Sequence, residues 1–382
     1  MLTAADLGAL TTFRRELHRF PEVSREESAT AARIVQALAV LQPDQVVTDL
    51  GGYGVAAVFN GSADGPTVLF RAELDALPIE ELSVAAHRST IPGKGHLCGH
   101  DGHMTLLMGL GRLIARQRPA RGRVVLMFQP AEEDGSGAAA VVADPRFAVL
   151  RPDWAFSIHN MPGLPFGYSA LKAGAVNCAS QGLKITLTGK TAHASLPETG
   201  LSPALALARL IPAISALGRG GPLGPEYRLV TITHARLGEA AFGIAPGEAE
   251  VWATLRTMED GQMAALRGAA MDLARAEATA QGLGIRFSHH DDFAASVNDV
   301  QATGHLARAL EALAMPYDMG DLPMRASEDF GRFGQGGTRS AMLFLGVGED
   351  HPALHNPDYD FPDALTPLGV QIFDRVLRNL LG

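Results

Sequence analysis

The feature that most constrains this chain is the stretch GHLCGHDGH at residues 95–103, in which glycines separate three histidines, a cysteine and an aspartate. Residues 104–114 then carry apolar side chains at helical spacing, so the stretch predicts a tight loop that leads into a helix N-terminus. The partial positive charge of that terminus favours a thiolate at Cys98. Because glycine permits sharp turns, Cys98 and His100 can converge on one point. The donor types indicate a divalent transition metal, and a polar surface loop is the competing interpretation.

Length and composition limit the classes of protein to which the chain can belong. A chain of 382 residues is too long for one ordinary hydrophobic core, so we expect two domains. The net charge of −9 argues against nucleic acid as a partner. Only two cysteines are present, and this usage fits a reducing, cytoplasmic compartment better than a disulfide framework. We expect no signal peptide and no membrane span.

Polar side chains follow each of several apolar runs that we predict to be buried strands. The runs are residues 67–70, 124–128, 154–158 and 341–345. The polar residues that follow them are Glu73 and Asp75, Glu132 and Glu133, His159, and His355. Strand-helix alternation predicts an α/β domain with a mainly parallel sheet and helices on both faces, whose strand ends share one edge. We therefore expect Cys98, His100, Glu133, His159 and His355 to meet at that edge.

The segment from about residue 180 to 290 has a different pattern. Its apolar periodicity predicts the order β-α-β-β-α-β, which is a ferredoxin-like unit. The pattern of the flanking segments resumes beyond it, so we predict a domain of residues 179–292 inserted into a discontinuous domain of residues 1–178 and 293–382. The inserted segment has its own polar cluster, GKTAHAS at residues 189–195, which contains His193. This cluster is either a solvated turn or a group that closes over a site.

Two amphipathic helices are predicted near the N-terminus. The first covers residues 6–20 and ends before a proline, and Ser24 is expected to cap the second, at residues 25–41. His18 lies on the first helix, where we expect it at the surface.

Five motifs in order then carry a resemblance to a known family. They are RAELDALP at residues 71–78, CGHDGH at 98–103, QPAEE at 129–133, SEDF at 327–330 and LHNPDYDF at 354–361. The chain resembles the amidohydrolase branch of the M20 metallopeptidases, which includes aminoacylases, hippurate hydrolases and auxin-conjugate hydrolases. The resemblance implies a dinuclear metal site on the α/β domain. It also implies that the inserted ferredoxin-like domain is a lid through which a homodimer forms.

The resemblance also implies a role for individual residues. The metal ligands would be Cys98, His100, Glu133, His159 and His355. Glu132 matches the general base that takes a proton from a metal-activated water and returns it to the leaving nitrogen, and its competing role is a further metal ligand. Asp75 and Asp101 would orient ligands. His193 matches a lid histidine that stabilises the oxyanion.

Two departures from the branch bear on specificity. Glu73 stands where the branch usually has aspartate. The lid motif TAHASLPE at residues 191–198 and Gly243, where asparagine is common, also differ from the usual pattern. We expect these changes to affect the choice of substrate more than the reaction.

The leading hypothesis is a metal-dependent amidohydrolase that cleaves N-acyl amino acids or similar small conjugates. It would use two divalent ions, and Mn, Zn, Co and Ni are all compatible with the sequence. The alternatives are a dipeptidase or aminopeptidase of the same family, and a metal-dependent binding protein without catalysis. The adjacent Glu132 and Glu133 argue against pure binding, which needs no free base beside the metal.

Overall fold

The computed structural model describes residues 1–382, which form eight α-helices and sixteen strands. The helices are α1 (Ala4–Arg19), α2 (Ser28–Ala39), α3 (His100–Arg116), α4 (Gly137–Ala143), α5 (Ala204–Ser215), α6 (Asp260–Ala280), α7 (Val300–Ala312) and α8 (Thr366–Leu381). The strands are β1 (Gln45–Leu50), β2 (Gly54–Asn60), β3 (Thr67–Glu73), β4 (Arg123–Gln129), β5 (Trp154–Pro162), β6 (Ser169–Ala170), β7 (Gly174–Asn177), β8 (Ala179–Thr188), β9 (Ala192–His193), β10 (Arg228–Leu237), β11 (Ile244–Ala245), β12 (Glu248–Thr257), β13 (Gly284–Phe293), β14 (Ser296–Asn298), β15 (Tyr317–Asp318) and β16 (Arg339–Gly348).

The chain divides into two compact units. The first unit comprises Met1–Val176, Ser296–Leu322 and Asp329–Gly382, and the second comprises Asn177–Ala295 and Pro323–Glu328. Each unit has its own hydrophobic core.

The first unit is built on an eight-stranded sheet with the order β1-β2-β4-β3-β5-β16-β6-β15. Its central strands β4, β3, β5 and β16 run parallel, so their carboxyl ends meet at one edge. All seven residues of β3 are buried, as are six of the seven in β4. This burial on both faces explains the continuous apolar runs in the sequence. The predicted α/β class with a mainly parallel sheet is confirmed. β3 and β5 are longer than predicted, so Glu73 and His159 lie within strands.

The N-terminal helices differ from the prediction in two respects. His18 was expected at the surface, but its side chain is fully buried. It shares one face of α1 with Leu10, Arg14 and Leu17, which are also buried. The second helix begins at Ser28, so Ser24 does not cap it. Instead, the hydroxyl of Ser24 donates to the carboxylate of Asp75. Residues 20–27 form the connection between the two helices.

The second unit contains a four-stranded sheet with the order β10-β12-β8-β13, in which all neighbours are antiparallel. Helices α5 and α6 pack against this sheet, and apolar residues of the helices and strands form one core. Apart from the short strands β9 and β11, the order of the elements along the chain is β-α-β-β-α-β, as in ferredoxin-like units.

None of the helices combines the length and the apolar character that a membrane-spanning helix needs.

Candidate active site

The loop before α3 is shaped by one close contact. Gly99 precedes the first residue of the helix and has a φ of 90°, a conformation that L side chains rarely adopt. A Cβ atom at this position would lie 2.3 Å from Oδ1 of Asn160. The side-chain amide of Asn160 also donates to the carbonyl oxygen of Cys98 (3.1 Å) and thereby ties the loop to β5. The sequence around Cys98 therefore folds as a tight turn because glycine alone fits at residue 99.

All five predicted metal ligands fall into two groups that have Cys98 in common. The first ligand group is Cys98, His100 and His159, and the second is Cys98, Glu133 and His355. Within each group the ligand atoms lie within 4.8 Å of one another. Cys98 Sγ is 3.6 Å from Nε2 of His159, and Nε2 of His355 is 3.7 Å from Oε2 of Glu133. The fold thus gathers residues that are more than 250 positions apart into two adjoining clusters of donors.

The imidazoles of buried His100 and half-buried His159 are oriented as metal ligands require. The Nδ1–H of His100 donates to the carbonyl oxygen of Asp75 (2.9 Å), and its Nε2 is buried without a hydrogen-bond partner. The Nδ1–H of His159 donates to the carbonyl oxygen of Asn160 (2.7 Å). In both rings the bond at Nδ1 fixes the tautomer of the neutral imidazole, in which Nε2 carries the lone pair. Burial alone would lower the pKa of His100, but Cys98 and Glu73 raise it well above its ordinary value, so a bound cation displaces a proton from its Nε2. A buried ring nitrogen that is aimed at other donors fits a bound cation.

Burial sets the protonation of two of the donors, Cys98 and His159, in the metal-free protein. It raises the pKa of the Cys98 thiol well above its ordinary value, and nearby Glu133 raises it further. The expected thiolate is therefore not favoured by the helix N-terminus alone; a bound cation would be needed to stabilise it. Burial, together with His103, lowers the pKa of His159 to about 3, so that this imidazole is neutral and available as a ligand.

Glu132 and Glu133 lie in a turn directly after β4. Oε1 of Glu133 is 3.8 Å from Nε2 of His100, and Oε2 of Glu132 is 4.0 Å from the same nitrogen. Glu133 belongs to the second ligand group, and His100, Glu132 and Glu133 form a further group whose donor atoms lie within 4.8 Å of one another. The turn therefore places one carboxylate between two predicted ligands and the other beside them.

The two acids predicted to orient ligands differ in what they contact. The carboxylate of Asp75 accepts the main-chain N–H of Glu133 (2.9 Å), and its carbonyl holds His100, so Asp75 contacts two predicted ligands. The carboxylate of Asp101 instead accepts hydrogen bonds from Arg14 and His18, both at 2.9 Å. Asp101 therefore acts on the first turn of α3 and not on a ligand side chain.

Glu73, the departure in the strand-end motif, begins a buried chain of polar contacts. Its carboxylate pairs with Arg71 and accepts from Nδ1 of His103 (2.6 Å). Nε2 of His103 lies 2.5 Å from Oδ1 of Asn160, and the His103 ring packs edge-on against His159. The longer acid thus reaches a histidine that packs on a predicted ligand.

His193, the predicted oxyanion residue, lies in the second unit. It ends the short strand β9, where it pairs with Ile244 of β11, and its side chain is exposed. Its Nδ1 is 2.7 Å from the hydroxyl of Ser195. Gly243, the second departure, is the neighbour of Ile244, and its carbonyl oxygen accepts the N–H of Ala194.

A scan against protein-family models matches residues 69–379 to the family described as Peptidase family M20/M25/M40. The matched range includes all five motifs of the sequence analysis.

The chain belongs to the M20 peptidase family.

This membership confirms the predicted family and, with it, the class of enzyme: a hydrolase that acts on amide bonds. The N-acetyl-L-cysteine deacetylase of Bacillus subtilis (strain 168) is 29% identical over 355 residues, covering 92% of this chain and 83% of that protein. The hippurate hydrolase of Campylobacter jejuni is 29% identical and covers 98% of this chain and 97% of its own length. Among solved structures, YXEP of Bacillus subtilis, titled a dinuclear metal binding peptidase from the M20 family, superposes with a TM-score of 0.82 at 24% identity and covers 100% of this chain and 99% of its own.

Sequence reasoning missed several residues of this M20 site that act through their neighbours. His18 and Arg14 hold Asp101, Ser24 holds Asp75, and the carboxylate of Glu27 accepts the N–H of Ala131 (2.8 Å). His18 could have been found, because it continues the buried face of α1 at helical spacing. Ser24 and Glu27 have no such signal, since each contacts a residue more than 50 positions away.

Proposed function

We propose that this M20 protein is a metal-dependent amidohydrolase that cleaves the amide bond of N-acyl amino acids. The observation that carries the proposal is the pair of ligand groups that share Cys98, with the carboxylate of Glu132 beside them. Support for the substrate class comes from the relatives, which are named for N-acetyl-L-cysteine and for hippurate. Both are amino acids whose nitrogen carries an acyl group and whose carboxylate is free.

Two divalent transition metals fit the donors. The first ligand group offers one sulfur and two imidazoles, and the second offers one sulfur, one carboxylate and one imidazole. Such mixed soft and borderline donors suit Zn, Co, Ni or Mn better than Mg or Ca, which prefer oxygen. When bound, the ions supply Lewis acidity, which lowers the pKa of a water molecule and polarises a carbonyl. YXEP, whose title describes dinuclear metal binding, supports a count of two.

Glu132 is the proposed general base. Its side chain lies 4.0 Å from His100 at the edge of the donor clusters, whereas Glu133 lies between His100 and His355. Glu132 takes a proton from the attacking water and later gives it to the nitrogen of the leaving amine, so that one carboxylate serves both steps. Glu133 stays a ligand, because its two oxygens face His100 and His355.

We assign the second unit to closure over the substrate, and His193 to stabilisation of the oxyanion, in the same reaction. In this proposal the second unit is a lid and the site of homodimer formation, and the exposed imidazole of His193 donates to the oxyanion of the substrate. The resemblance to the M20 amidohydrolases supports this assignment, as does the exposure of His193. The exposed strand β10 is at an edge of its sheet and offers unpaired main-chain groups to a second copy. H193Q should lower kcat and leave the metal content unchanged, and light scattering should report a dimer.

A substrate panel tests the proposed function. N-acetyl and N-benzoyl amino acids are assayed with Mn, Zn, Co or Ni, alongside dipeptides with a free amino group and a chelator control. We expect hydrolysis of the acylated amino acids and loss of activity with the chelator. Preference for the dipeptides would indicate a peptidase instead.

The E132Q variant tests the base. It should keep the wild-type metal content, measured by mass spectrometry, and lose at least about a thousandfold in kcat, which is the typical scale for a general base. E349Q is the matched control, since Glu349 is exposed just beyond β16 and should behave as wild type. An E132Q variant with wild-type turnover would refute the assignment.

A further inference from the structure

The main-chain amides on both sides of Glu132 donate to buried carboxylates. The N–H of Ala131 donates to Oε1 of Glu27 (2.8 Å), and the N–H of Glu133 donates to Oδ2 of Asp75 (2.9 Å). Glu27 and Asp75 have no solvent exposure. Two acids from distant parts of the chain thus clamp the turn that carries the proposed base.

Ala131 needs such a clamp because its backbone is strained. Its φ is 49°, in the left-handed region that residues with a side chain occupy at a cost of about 1–2 kcal/mol. On the other side of the turn, Gly137 donates its N–H to the carbonyl oxygen of Ala131 (2.9 Å). The turn is therefore held at the N–H and at the C=O of the same residue. Loss of either bond would let Ala131 relax to a negative φ and swing Glu132 away from its present position.

Burial of the Glu27 carboxyl group is unfavourable unless the group makes a compensating contact. Burial and the nearby carboxylate of Asp75 together raise the pKa of Glu27 to about 7. Glu27 is the N-cap residue of α2, but its side chain makes no capping hydrogen bond to that helix. The hydrogen bond to Ala131 is the contact that its carboxylate makes across the fold, from residue 27 to residue 131.

We propose that Glu27 is a positioning residue for Glu132: its carboxylate holds Ala131 in the left-handed conformation that aims the base. This inference rests on the proposed function, in which Glu132 is the base. The role requires a hydrogen-bond acceptor at a fixed reach and does not require a negative charge. Because Asp75 holds the next amide but one, the loss of Glu27 frees only the N-terminal side of the turn.

Because the role needs the reach of the side chain and not its charge, the amide variant of Glu27 should be more active than the shorter acid. E27Q keeps an acceptor oxygen at the same distance and removes the charge. E27D keeps the charge and withdraws the acceptor by one methylene. We expect E27Q to retain kcat within about threefold and E27D to lose about 30-fold or more, since misplacing a catalytic group by about 1 Å can cost about a hundredfold. The KM should change little in both variants.

Three further readouts separate positioning from general support of the fold. The metal content of E27D should equal that of wild type. Hydrogen exchange at the amide of Ala131 should be faster in E27D than in E27Q. The substitution A131G should restore part of the kcat in the E27D background, because glycine adopts the left-handed conformation without the clamp. The matched controls are E26Q and E26D, since the neighbouring Glu26 is exposed and pairs with Lys94 at the surface.

Each outcome decides between the alternatives. An active E27D with an inactive E27Q would show that Glu27 acts through its charge and would overturn the proposal, as would a parallel loss of metal and activity in E27D. If E27D does not fold, E27Q carries the test alone: a kcat and an exchange rate at Ala131 close to wild type support the proposal, and a large loss of kcat overturns it. A wild-type protein without activity on the whole substrate panel would count against the proposed function. In that case the exchange rates at Ala131 still test the contact.

Discussion

The imidazole of His18 in α1 donates from Nδ1 to the carboxylate of Asp101 in the first turn of α3, over 2.9 Å. Nε2 of the same ring lies 3.2 Å from Oε1 of Glu81, and Arg14 pairs with Asp101 from the same helix. A residue expected at the surface is therefore part of a buried network that fixes the start of the helix after the Cys98 loop. The network includes two more acids, Asp360 and Asp363, which both pair with Arg14 at 2.6 Å.

This network predicts a pH dependence of stability. Burial alone would lower the pKa of His18, but Asp101 and Glu81 outweigh it and raise the pKa from 6.5 to about 10. A group whose pKa is raised in the folded state contributes stability to the fold. That contribution is complete below the pKa of the unfolded state and is lost as the pH rises through the pKa of the folded state. The difference in unfolding free energy between wild type and H18Q should thus be largest near pH 6 and shrink by a few kcal/mol towards pH 10.

Trp154 offers a local probe for that measurement. The chain has two tryptophans, so a W252F background leaves Trp154 as the reporter of the first unit. Urea unfolding is followed by fluorescence between pH 6 and 10 in metal-free protein. H351Q, a histidine change in the loop after β16, should follow the pH dependence of wild type. A difference between wild type and H18Q that stays constant over this range would contradict the prediction.

The two ligand groups predict different metal contents for three variants. Cys98 belongs to both groups, whereas His159 and His355 each belong to one. C98S should therefore lose both ions, and H159Q and H355Q should each lose about one, because removing one donor of three weakens a site strongly. Metal content is measured by mass spectrometry after dialysis against trace metal. Equal losses in all three variants would show that the ions do not occupy the groups separately.

Gly99 and Gly93 form a matched pair for the loop before α3. Both have a positive φ, which is 90° at Gly99 and 71° at Gly93. A Cβ atom at Gly99 would lie 2.3 Å from Asn160, whereas a Cβ atom at Gly93 would have no other atom within 4 Å. G93A should cost about 1 kcal/mol of stability and keep its metal. G99A should cost more and lower the metal content, because it displaces the loop of Cys98. Thermal unfolding and metal analysis of the two variants check this, and equal behaviour would contradict it.

The buried contacts of Glu73 predict a measurable contribution of this residue to the free energy of unfolding. E73A leaves the buried Arg71 and His103 without one acid and should lower the unfolding free energy by about 3 kcal/mol. E73D keeps an acid beside Arg71 but shortens its reach to His103, so we expect a smaller loss, of about 1–2 kcal/mol. E16A, at an exposed acid of α1, is the control. Urea unfolding measures the difference, and an E73A protein as stable as wild type would contradict the role of Glu73.

The success and failure of sequence reasoning have separate physical causes. The central strands were visible because burial on both faces demands apolar runs, and the donors follow those runs at strand ends, as with Glu133 after β4. The contacts of Ser24 and Glu27 were invisible because a polar residue in a connection has no periodicity, and its partner is set by tertiary packing. His18 was misassigned because histidine is common on both surfaces and buried faces, although its spacing from Leu10 and Arg14 marked the buried face.

The position of His355 in the loop after β16 has a consequence for biosynthesis. The second ligand group is incomplete until this residue has emerged from the ribosome. Until β16 emerges, β5 has no neighbour on that side of the sheet, and its apolar edge is open to pairing with other chains. Nascent chains that stall before β16 should therefore depend on chaperones, and the second ligand group should bind its cation only after the loop beyond β16 has emerged.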